Sequence, residues 1–282
     1  MKNSMKVVWL VIAVAFMVGA ALMVTGFFAG ASMGLYADSN GIHVANPGAE
    51  TVTIKEEDLK GVSRIRINVD AADVKVAASD RSYAEIRATG GNPTVEIDGD
   101  VLRITEKRGL RGGFPIFNIG LDWRTASDVT VYIERGVVLD EVNVNSSFGD
   151  VKLNGFSAEK VTMRLSAGSV RGGDLKVGRL DIENSLGDVR MEGIAAEDTR
   201  IKLSAGDVDV TGDFGATQIE NSLGDIKFRT SRPMRDYNCS ITTDLGDVRI
   251  NGERSGIATL AGGDIHLKLH TSLGSVNANF QK

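Results

Sequence analysis

A short corner motif recurs through the second half of the chain and constrains the fold more than any other feature. The stretch ENSLGDV at residues 183–189 returns as ENSLGDI at residues 220–226. Looser copies, in which a glycine precedes Asp or Ser and then Val or Ile, stand at residues 146–151, 165–170, 203–208, 243–248, 260–265 and 271–276. Repetition on this scale indicates units that stack on their neighbours to bury a shared core.

The spacing of the motif predicts the architecture. With the Val or Ile after each corner as position 0, successive units are 19, 19, 19, 18, 22, 17 and 11 residues apart. Apolar residues at −9, −7 and +2 alternate with polar ones, as in half-buried strands, and a second glycine often stands at +4. We therefore expect an all-β chain folded as a β-solenoid, similar to a parallel β-helix, with two or three faces. An array of hairpins with Gly-Asp turns is the alternative, which the near-constant unit length disfavours.

Positions −5 and −3 carry a further pattern. Asn184 and Leu186 occupy them in one unit, and Leu203 and Ala205 occupy them in the next. This exchange of large and small residues suggests side chains that interdigitate in a close-packed core, with Leu186 inside. Asn184 and Asn221 then point inward by parity, and we assign them a structural role because buried polar groups must be paired.

The N-terminal region predicts a membrane anchor. Residues 7–37 contain no charged residue, and a helix needs about 20 apolar residues to cross a bilayer. Lys2 and Lys6 precede this run and Asp38 follows it, which places the N-terminus in the cytoplasm and the rest outside. A cleaved signal peptide is the alternative, although its apolar region is usually shorter. We expect residues 1–37 to hold one uncleaved transmembrane helix in the cell membrane, followed by a linker at 38–50.

The remaining residues, 51–282, are predicted to form one extracytoplasmic β-strand-repeat domain. Its first part, 51–145, is irregular, and Ala72-Asp73-Val74 resembles a degenerate first copy of the corner. The regular repeats occupy 146–282. Residues 105–128 interrupt the strand pattern with aromatic and basic residues, a combination that is enriched at binding sites. This insert is the candidate partner-binding segment, with Arg108, Arg111, Phe114, Phe117, Trp123 and Arg124; the alternative is a cap over an open sheet edge.

Composition and motifs exclude several functions. The net charge of −5 argues against nucleic acid as a partner, and the single cysteine, Cys239, excludes an internal disulfide or a cysteine-rich metal site. Phosphate loops, nucleophile elbows and zinc-protease motifs are absent from the sequence. We predict no catalytic, cofactor-binding or metal-binding residue. The corner aspartates could bind calcium, but Ser169 and Ser275 at the same position favour a turn-forming role. Of the three histidines, His266 and His270 alternate with leucines and should face outward on a strand.

The sequence also resembles a known family. The run VSRIRINVDAADVKV at residues 62–76, followed by SLGDV and SAGDV units, is similar to the bacterial putative-adhesin family of β-strand-repeat proteins of unknown function. The resemblance covers about residues 60–280, and the layout is similar to that of membrane-anchored members, which are associated with envelope stress. It implies a solenoid-like all-β domain without established enzymatic activity, and it carries over no functional residue.

These observations together predict a non-catalytic binding or scaffold module at the bacterial cell envelope. Its partners would be the membrane, through the N-terminal helix, and an envelope protein or glycan, with oligomerisation left open. Two alternatives are retained. One is a structural polymer in which solenoids stack end to end through unpaired strand edges. The other is a carbohydrate-active enzyme, because carboxylates from different windings can meet in space without a local sequence signature.

Overall fold

The structure is a computed structural model that describes residues 34–38, 41–44, 51–56, 59–89, 92–107, 114–118, 127–255, 258–260 and 262–281. The chain divides into two compact units, one of residues 1–50 and 109–124 and the other of residues 51–108 and 125–282. Across the described ranges the secondary structure is β-strand with one 3-10 turn at Met234–Asp236, which confirms the all-β prediction. None of these residues forms a helix that is both long and apolar enough to cross a membrane.

The described strands are numbered in chain order. They are β1 Gly34–Asp38, β2 Gly41–Val44, β3 Thr51–Glu56, β4 Arg64–Ser79, β5 Tyr83–Thr89, β6 Asn92–Asp98, β7 Val101–Lys107, β8 Phe114–Asn118, β9 Ser127–Glu134, β10 Val138–Phe148, β11 Val151–Asn154, β12 Ser157–Ala167, β13 Val170–Gly173, β14 Lys176–Leu186, β15 Val189–Ala205, β16 Val208–Leu223, β17 Ile226–Pro233, β18 Tyr237–Leu245, β19 Val248–Ile250, β20 Glu253–Ser255, β21 Ala258–Leu260, β22 Ile265–Leu273 and β23 Val276–Gln281.

The first unit contains a small antiparallel sheet. In it, β1 lies between β2 and β8. Residues 34–37 of the predicted anchor belong to β1, and residues 41–44 of the predicted linker form β2. Residues 1–33, which carry most of the predicted transmembrane helix, lie outside the described residues.

The second unit is a parallel stack of windings. Each winding supplies a long strand, such as β10, and a short strand, such as β11, and each pairs in parallel with its counterpart 19 residues later. Val142 thus lies beside Val161, and Val151 beside Val170. Val151 also pairs with Val74, so Ala72-Asp73-Val74 is confirmed as the first copy of the corner. The predicted solenoid-like architecture is therefore correct.

Burial shows that each winding has three inward-facing runs. Val151 and Leu153 form the first, Phe156 and Ala158 the second, and the third holds Val161, Met163 and Leu165. Between the second and third runs, two consecutive residues, Glu159 and Lys160, are exposed, so the strict alternation shifts by one residue. The sequence left open whether the solenoid has two or three faces, and this shift marks a third face.

The spatial order of the windings departs from the chain order at the C-terminal end. The final strands, β22 and β23, pair with β16 and β17 on one side and with β18 and β19 on the other. The last winding is therefore inserted between two windings that precede it in sequence. An N–H of Gly224 accordingly donates to the carbonyl of Leu273, and that of Gly274 to the carbonyl of Leu245.

One predicted corner is wrong. The motif places Ile265 at position 0 of the copy at residues 260–265. In the structure, Ile265 begins β22 and pairs with Tyr237 of the long strand β18. The preceding segment instead doubles back, because β20 and β21 run antiparallel to β19 and β18. Asp264 consequently does not join the corner aspartates. The column of position-0 residues therefore includes Val74 and excludes Ile265.

Stacked glycines make the corners. Gly187 has a φ of 123°, and a Cβ atom at this position would overlap the carbonyl oxygen of Gly168 in the neighbouring winding. The same relation joins Gly168 to Gly149 and Gly206 to Gly187. Glycine is needed here both for its positive φ and for the close approach of two backbones.

Buried polar side chains at position −5 bond to these corners. The Asn184 amide nitrogen donates to the carbonyl of Gly168 at 2.8 Å, and that of Asn221 donates to the carbonyl of Gly206 at 2.9 Å. Thr271 and Thr243 do the same toward Gly224 and Gly274. The predicted inward orientation and structural role of Asn184 and Asn221 are confirmed, since each is buried and bonds to a carbonyl of the adjacent corner.

The prediction for position −3 is wrong. Leu186 is 58% exposed instead of filling the core. Strand alternation would turn position −3 inward, but Leu186 is the last residue of β14 and the bend of the corner follows directly at Gly187, so the alternation ends one residue earlier, at Asn184 and Ser185. The large and small residues do alternate from winding to winding, since Leu186 pairs with Ala167 and Ala205. They do so on the surface.

Antiparallel strands cover both ends of the stack. At one end, β6 pairs with β7, and β5 lies between β3 and β9. There the buried carboxylate of Glu106 accepts the N–H groups of Asp70 and Ala71 at the first corner. At the other end, β20 and β21 pair with β19 and β18. These hairpins provide the edge protection that a solenoid requires.

Gly187→Ala tests the stacking of the corners. We expect a loss of at least about 3 kcal/mol in the free energy of unfolding, because the methyl group must displace backbone of the adjacent winding. Gly252→Ala is the matched control, because Gly252 also has a positive φ, of 86°, but no atom within 4 Å of its Cβ position. It should cost about 1–2 kcal/mol for the backbone conformation alone. Urea unfolding followed by circular dichroism measures both; equal losses would contradict the close approach.

Cys239 reports on the integrity of the core. The thiol is buried, and this burial raises its pKa to about 11. In the unfolded chain the thiol ionises near its usual pKa of about 8.5, so unfolding becomes easier as the pH rises from there toward about 11. Cys239→Val removes the titrating thiol and keeps the site apolar. Valine suits this site, because Val142 stands at the equivalent position, −9, of another winding. Urea midpoints should fall more steeply with pH in the wild type than in this variant, and parallel curves would argue against a buried thiol.

Candidate functional site

A row of serines follows the outer face of the long strands. Position −4 is serine in six windings. The residues on either side of each serine, at positions −5 and −3, pair with their counterparts on the neighbouring strands, so the serines lie between aligned pairs on strands that are about 4.8 Å apart. We call this row the serine column; it consists of Ser147, Ser166, Ser185, Ser204, Ser222 and Ser272. Because all six lie at least partly exposed, they present a line of hydroxyl groups to solvent.

Charged residues run parallel to the serine column at position −6. Arg164, Glu183, Lys202 and Glu220 follow one another on adjacent strands, so the sign alternates along the stack. Arg164 contacts Glu183 at 3.3 Å, and Lys268 contacts Glu220 at 2.6 Å. Such exposed pairs add little stability individually, but they hold the side chains in a defined arrangement.

The serine column and the charged residues line a continuous groove. It has a volume of about 900 Å³ and extends from Asn68 on β4 to Ser272 on β22. Hydrogen bonds from Lys268 and Gln218 lower the pKa of Glu220 in this groove, so this group stays ionised. The groove therefore offers fixed donors, acceptors and charges along its length, as a recognition surface for an extended polar partner would.

Exposed apolar residues border the serine column on the side of the corners. Position −3 forms a second row, the corner ridge, of Ala71, Phe148, Ala167, Leu186, Ala205, Leu223, Leu273 and Leu245 in spatial order. Its large members are 46–69% exposed. Among the residues whose burial is described, only Ile97, Val137 and Val138 are further exposed large hydrophobics. An apolar row of this regularity marks an interaction surface.

The corner aspartates accept hydrogen bonds from backbone N–H groups of the adjacent winding. An oxygen of Asp150 accepts the N–H of Ser169 at 2.9 Å, and Asp188 and Asp207 bond in the same way to the corners that follow them. Burial acts to raise the pKa of Asp150, but the Ser169 N–H and the Arg171 guanidinium outweigh it and lower the pKa. These bonds support the structural role, with the difference that each carboxylate joins two windings instead of closing its own turn.

A smaller depression lies near the first windings. Burial, together with the adjacent Asp73, raises the pKa of Asp128. Tyr83 and Tyr132 stack beside it with ring centroids 4.6 Å apart. Lys75 and Arg81 lie over these rings at 5.1 and 5.2 Å, so the aromatic faces are already covered by protein cations.

The residues singled out in the sequence have different outcomes. Arg108, Arg111, Trp123 and Arg124 of the insert lie outside the described residues. Phe114 and Phe117 lie on β8, which pairs with β1, but their side chains are likewise outside the description. The partner-binding role of the insert therefore stays a prediction.

The two histidines of the repeat region face outward as expected. Both lie on β22, where His266 is exposed, and His270 Nδ1 lies 2.9 Å from the hydroxyl of Thr242. In the part of the chain that the structure describes, no three His, Cys, Asp or Glu side chains are grouped so that they could hold a metal ion.

Comparison with known proteins places the chain. The family model described as Toastrack DUF4097 matches residues 62–282, well over half of the sequence. The chain belongs to the Toastrack DUF4097 family. The match begins just before β4 and so spans the solenoid of this Toastrack protein from its first winding to its last. None of the curated proteins matches it.

Several solved structures are similar to this Toastrack chain at low identity. A "putative cell adhesion protein" from Clostridium sporogenes has 10% identity and a TM-score of 0.38, over 82% of this chain and 100% of that one. A "putative adhesin" from Bacteroides fragilis has 11% identity and a TM-score of 0.49, over 83% and 98%. A "putative lipid binding protein" from Parabacteroides distasonis has 17% identity and a TM-score of 0.42, over 83% and 96%. The family match, rather than these similarities, assigns the chain.

Proposed function

We propose that this Toastrack protein is a membrane-anchored, non-catalytic binding or scaffold module that acts outside the cytoplasm at the bacterial cell envelope, in the response to envelope stress. The observation that carries the binding role is the groove along the long strands. Its polar side chains are held in register by the stack, so one rigid surface repeats the same contacts from winding to winding. A partner that repeats along its own length, such as a glycan strand or an extended protein segment, fits such a surface.

The electrostatics of the groove support binding without catalysis. A carboxylic acid that donates a proton needs a raised pKa, whereas hydrogen bonds lower the pKa of Glu220. Glu183 accepts a hydrogen bond from Arg164 at 3.3 Å. Both of these carboxylates are thus already bonded to basic side chains.

A carbohydrate-active enzyme is the second candidate, and one observation favours it. Asp128, whose pKa is raised, and Asp150, whose pKa is lowered, lie on either side of Asp73. A pair of carboxyl groups that act as acid and base needs pKa values shifted in opposite directions. However, Asp73 accepts the N–H of Asp150 at 2.8 Å, and Asp150 accepts that of Ser169, so both are already used by the fold. End-to-end polymerisation is disfavoured by the antiparallel strands at both ends of the stack.

Cysteine labelling in intact cells tests the topology. Cys239 is buried, so the native chain should react little with thiol reagents and give a low background of labelling. With Ser185→Cys in the exposed serine column, a membrane-impermeant maleimide should label the protein without permeabilisation. With Lys2→Cys, labelling should occur only after permeabilisation, because the N-terminus is expected in the cytoplasm. Labelling of the first variant only after lysis would contradict an extracytoplasmic domain.

Charge reversal in the groove tests binding. In the Arg164→Glu/Lys202→Glu variant, position −6 becomes acidic on four successive strands, and we expect at least about a tenfold loss of affinity for a polar envelope partner. Sedimentation of the full chain with purified peptidoglycan sacculi measures the glycan case; photocrosslinking from Ser204 in cells captures a protein partner.

The control for this test carries the same charge change elsewhere. Lys152→Glu/Arg190→Glu alters the outer face of the short strands and should leave binding unchanged. An equal loss in both variants would indicate a general charge effect, and binding that survives reversal in the groove would refute the groove as the binding surface.

A further inference from the structure

The corner ridge is an exposed apolar surface that the proposed binding role does not use. It has five large exposed side chains, of which Phe148, Leu186 and Leu223 alternate with Ala167 and Ala205 along the stack. A regular row of exposed apolar side chains is unusual for a monomer, because removing each one from water against a partner would lower the free energy.

The pattern of the ridge is complementary to itself. If a second ridge lies antiparallel to the first, about a two-fold axis between the windings of Leu186 and Ala205, each of these two residues faces the other in the second copy. Ala167 then faces Leu223, and Ala71 faces Leu245. A large side chain thus meets a small one in three of the four kinds of contact; the fourth joins Phe148 to Leu273. A two-fold interface requires this relation, in which residue i meets j and j meets i.

The surroundings of the ridge also suit close contact between two copies. On one side six of its eight members are bordered by the uncharged serine column, while Asp70 and Asp244 stand beside the end members Ala71 and Leu245. On the other side lie the corner glycines. Charged residues are depleted from the cores of protein interfaces, and polar residues that can still hydrogen-bond form their rims. Over its six central members a second ridge can therefore approach without desolvating an ion pair, while serine hydroxyls of both copies lie at the rim.

We propose that the corner ridge pairs two copies of this chain in an antiparallel, two-fold symmetric dimer. The ridge spans seven strand spacings, roughly 34 Å. A contact of this length and of one side chain's width lies at the low end of specific interfaces, below about 1,200 Å² in total. The dimer is accordingly weak, and forms and dissociates with concentration. This inference concerns the ridge and is independent of the proposed function of the groove.

Substitution of Leu186 tests the dimer. The full chain, kept in solution by a mild detergent, is followed by sedimentation equilibrium over a range of protein concentrations. The wild type should show a monomer–dimer equilibrium, and Leu186→Asp should raise its dissociation constant at least tenfold, because the carboxylate would be buried against the second copy without a partner. Val138→Asp is the matched control, since it introduces the same carboxylate at a residue that is 55% exposed but lies off the ridge. It should leave the equilibrium unchanged.

A mixing experiment tests the position of the axis. Leu186→Asp and Ala205→Lys should each prevent self-association, because each puts a lone charge against an apolar residue of the second copy. When the two variants are mixed, the opposite charges meet at one of the two central contacts and the other stays native, so a heterodimer should form. Circular dichroism of each variant verifies that it is folded.

The outcomes are decisive in both directions. Dimerisation of the wild type that is lost in both single variants and recovered on mixing supports the proposal. A wild type that stays monomeric at the highest soluble concentration overturns it. The same holds if Leu186→Asp and Val138→Asp behave alike, or if mixing the two ridge variants does not restore the dimer.

Discussion

The stacking of glycine corners is the constraint on which the rest of the solenoid depends. Each corner glycine brings its backbone against the carbonyl of the corner before it, closer than any side chain would allow. This approach fixes the position of one winding over the next, and the parallel strands, the buried column of Val151 and its equivalents, and the aligned outer rows follow from it. The corner aspartates and the buried Asn184 and Asn221 then hold the same junction through hydrogen bonds between windings.

The two surface rows have a common origin in that junction. Because the windings are in register, a serine at one position in the repeat becomes a column, and an apolar residue at the next becomes a ridge. The groove therefore offers polar contacts to an elongated partner, and the ridge offers apolar contacts on an adjoining strip. Binding of a partner and pairing of two copies use adjoining strips of the surface, and the serine column is shared between them, as a wall of the groove and as the rim of the dimer.

Much of the fold could be predicted from the sequence, and the errors share a physical cause. Strand alternation correctly placed Val151, Val161 and Asn184 inside, and the spacing of the motif correctly predicted stacking in parallel. Leu186 was misplaced because alternation was extended one residue into a corner, where the chain direction changes and parity no longer holds. Ile265 was misplaced because a Gly-Asp-Ile match cannot distinguish a corner from the start of a strand that returns after a hairpin.

The candidate site was harder to predict for a different reason. Serine at position −4 was visible in the same alignment of units, but its importance depends on the neighbours that register brings beside it. The alternation of Val95 and Ile97 before the turn at residues 98–100 predicts β6 as a strand, but no signal marks β6 or β21 as an end strand, because that role is defined by what these strands cover. The order of the last windings was equally hidden, since sequence proximity favours β18 as the neighbour of β16 and the structure gives that place to β22.

The inserted winding has a consequence for the order of folding. β22 and β23 come later in the chain than β18 and β19, yet they lie between those strands and β16 and β17. The windings therefore cannot be added to the stack strictly in the order of synthesis, because β18 and β19 reach their places only when the chain that follows them has folded back. Loss of β22 and β23 would accordingly remove a winding from inside the sheet rather than from its edge, and would separate β18 and β19 from the rest of the parallel stack.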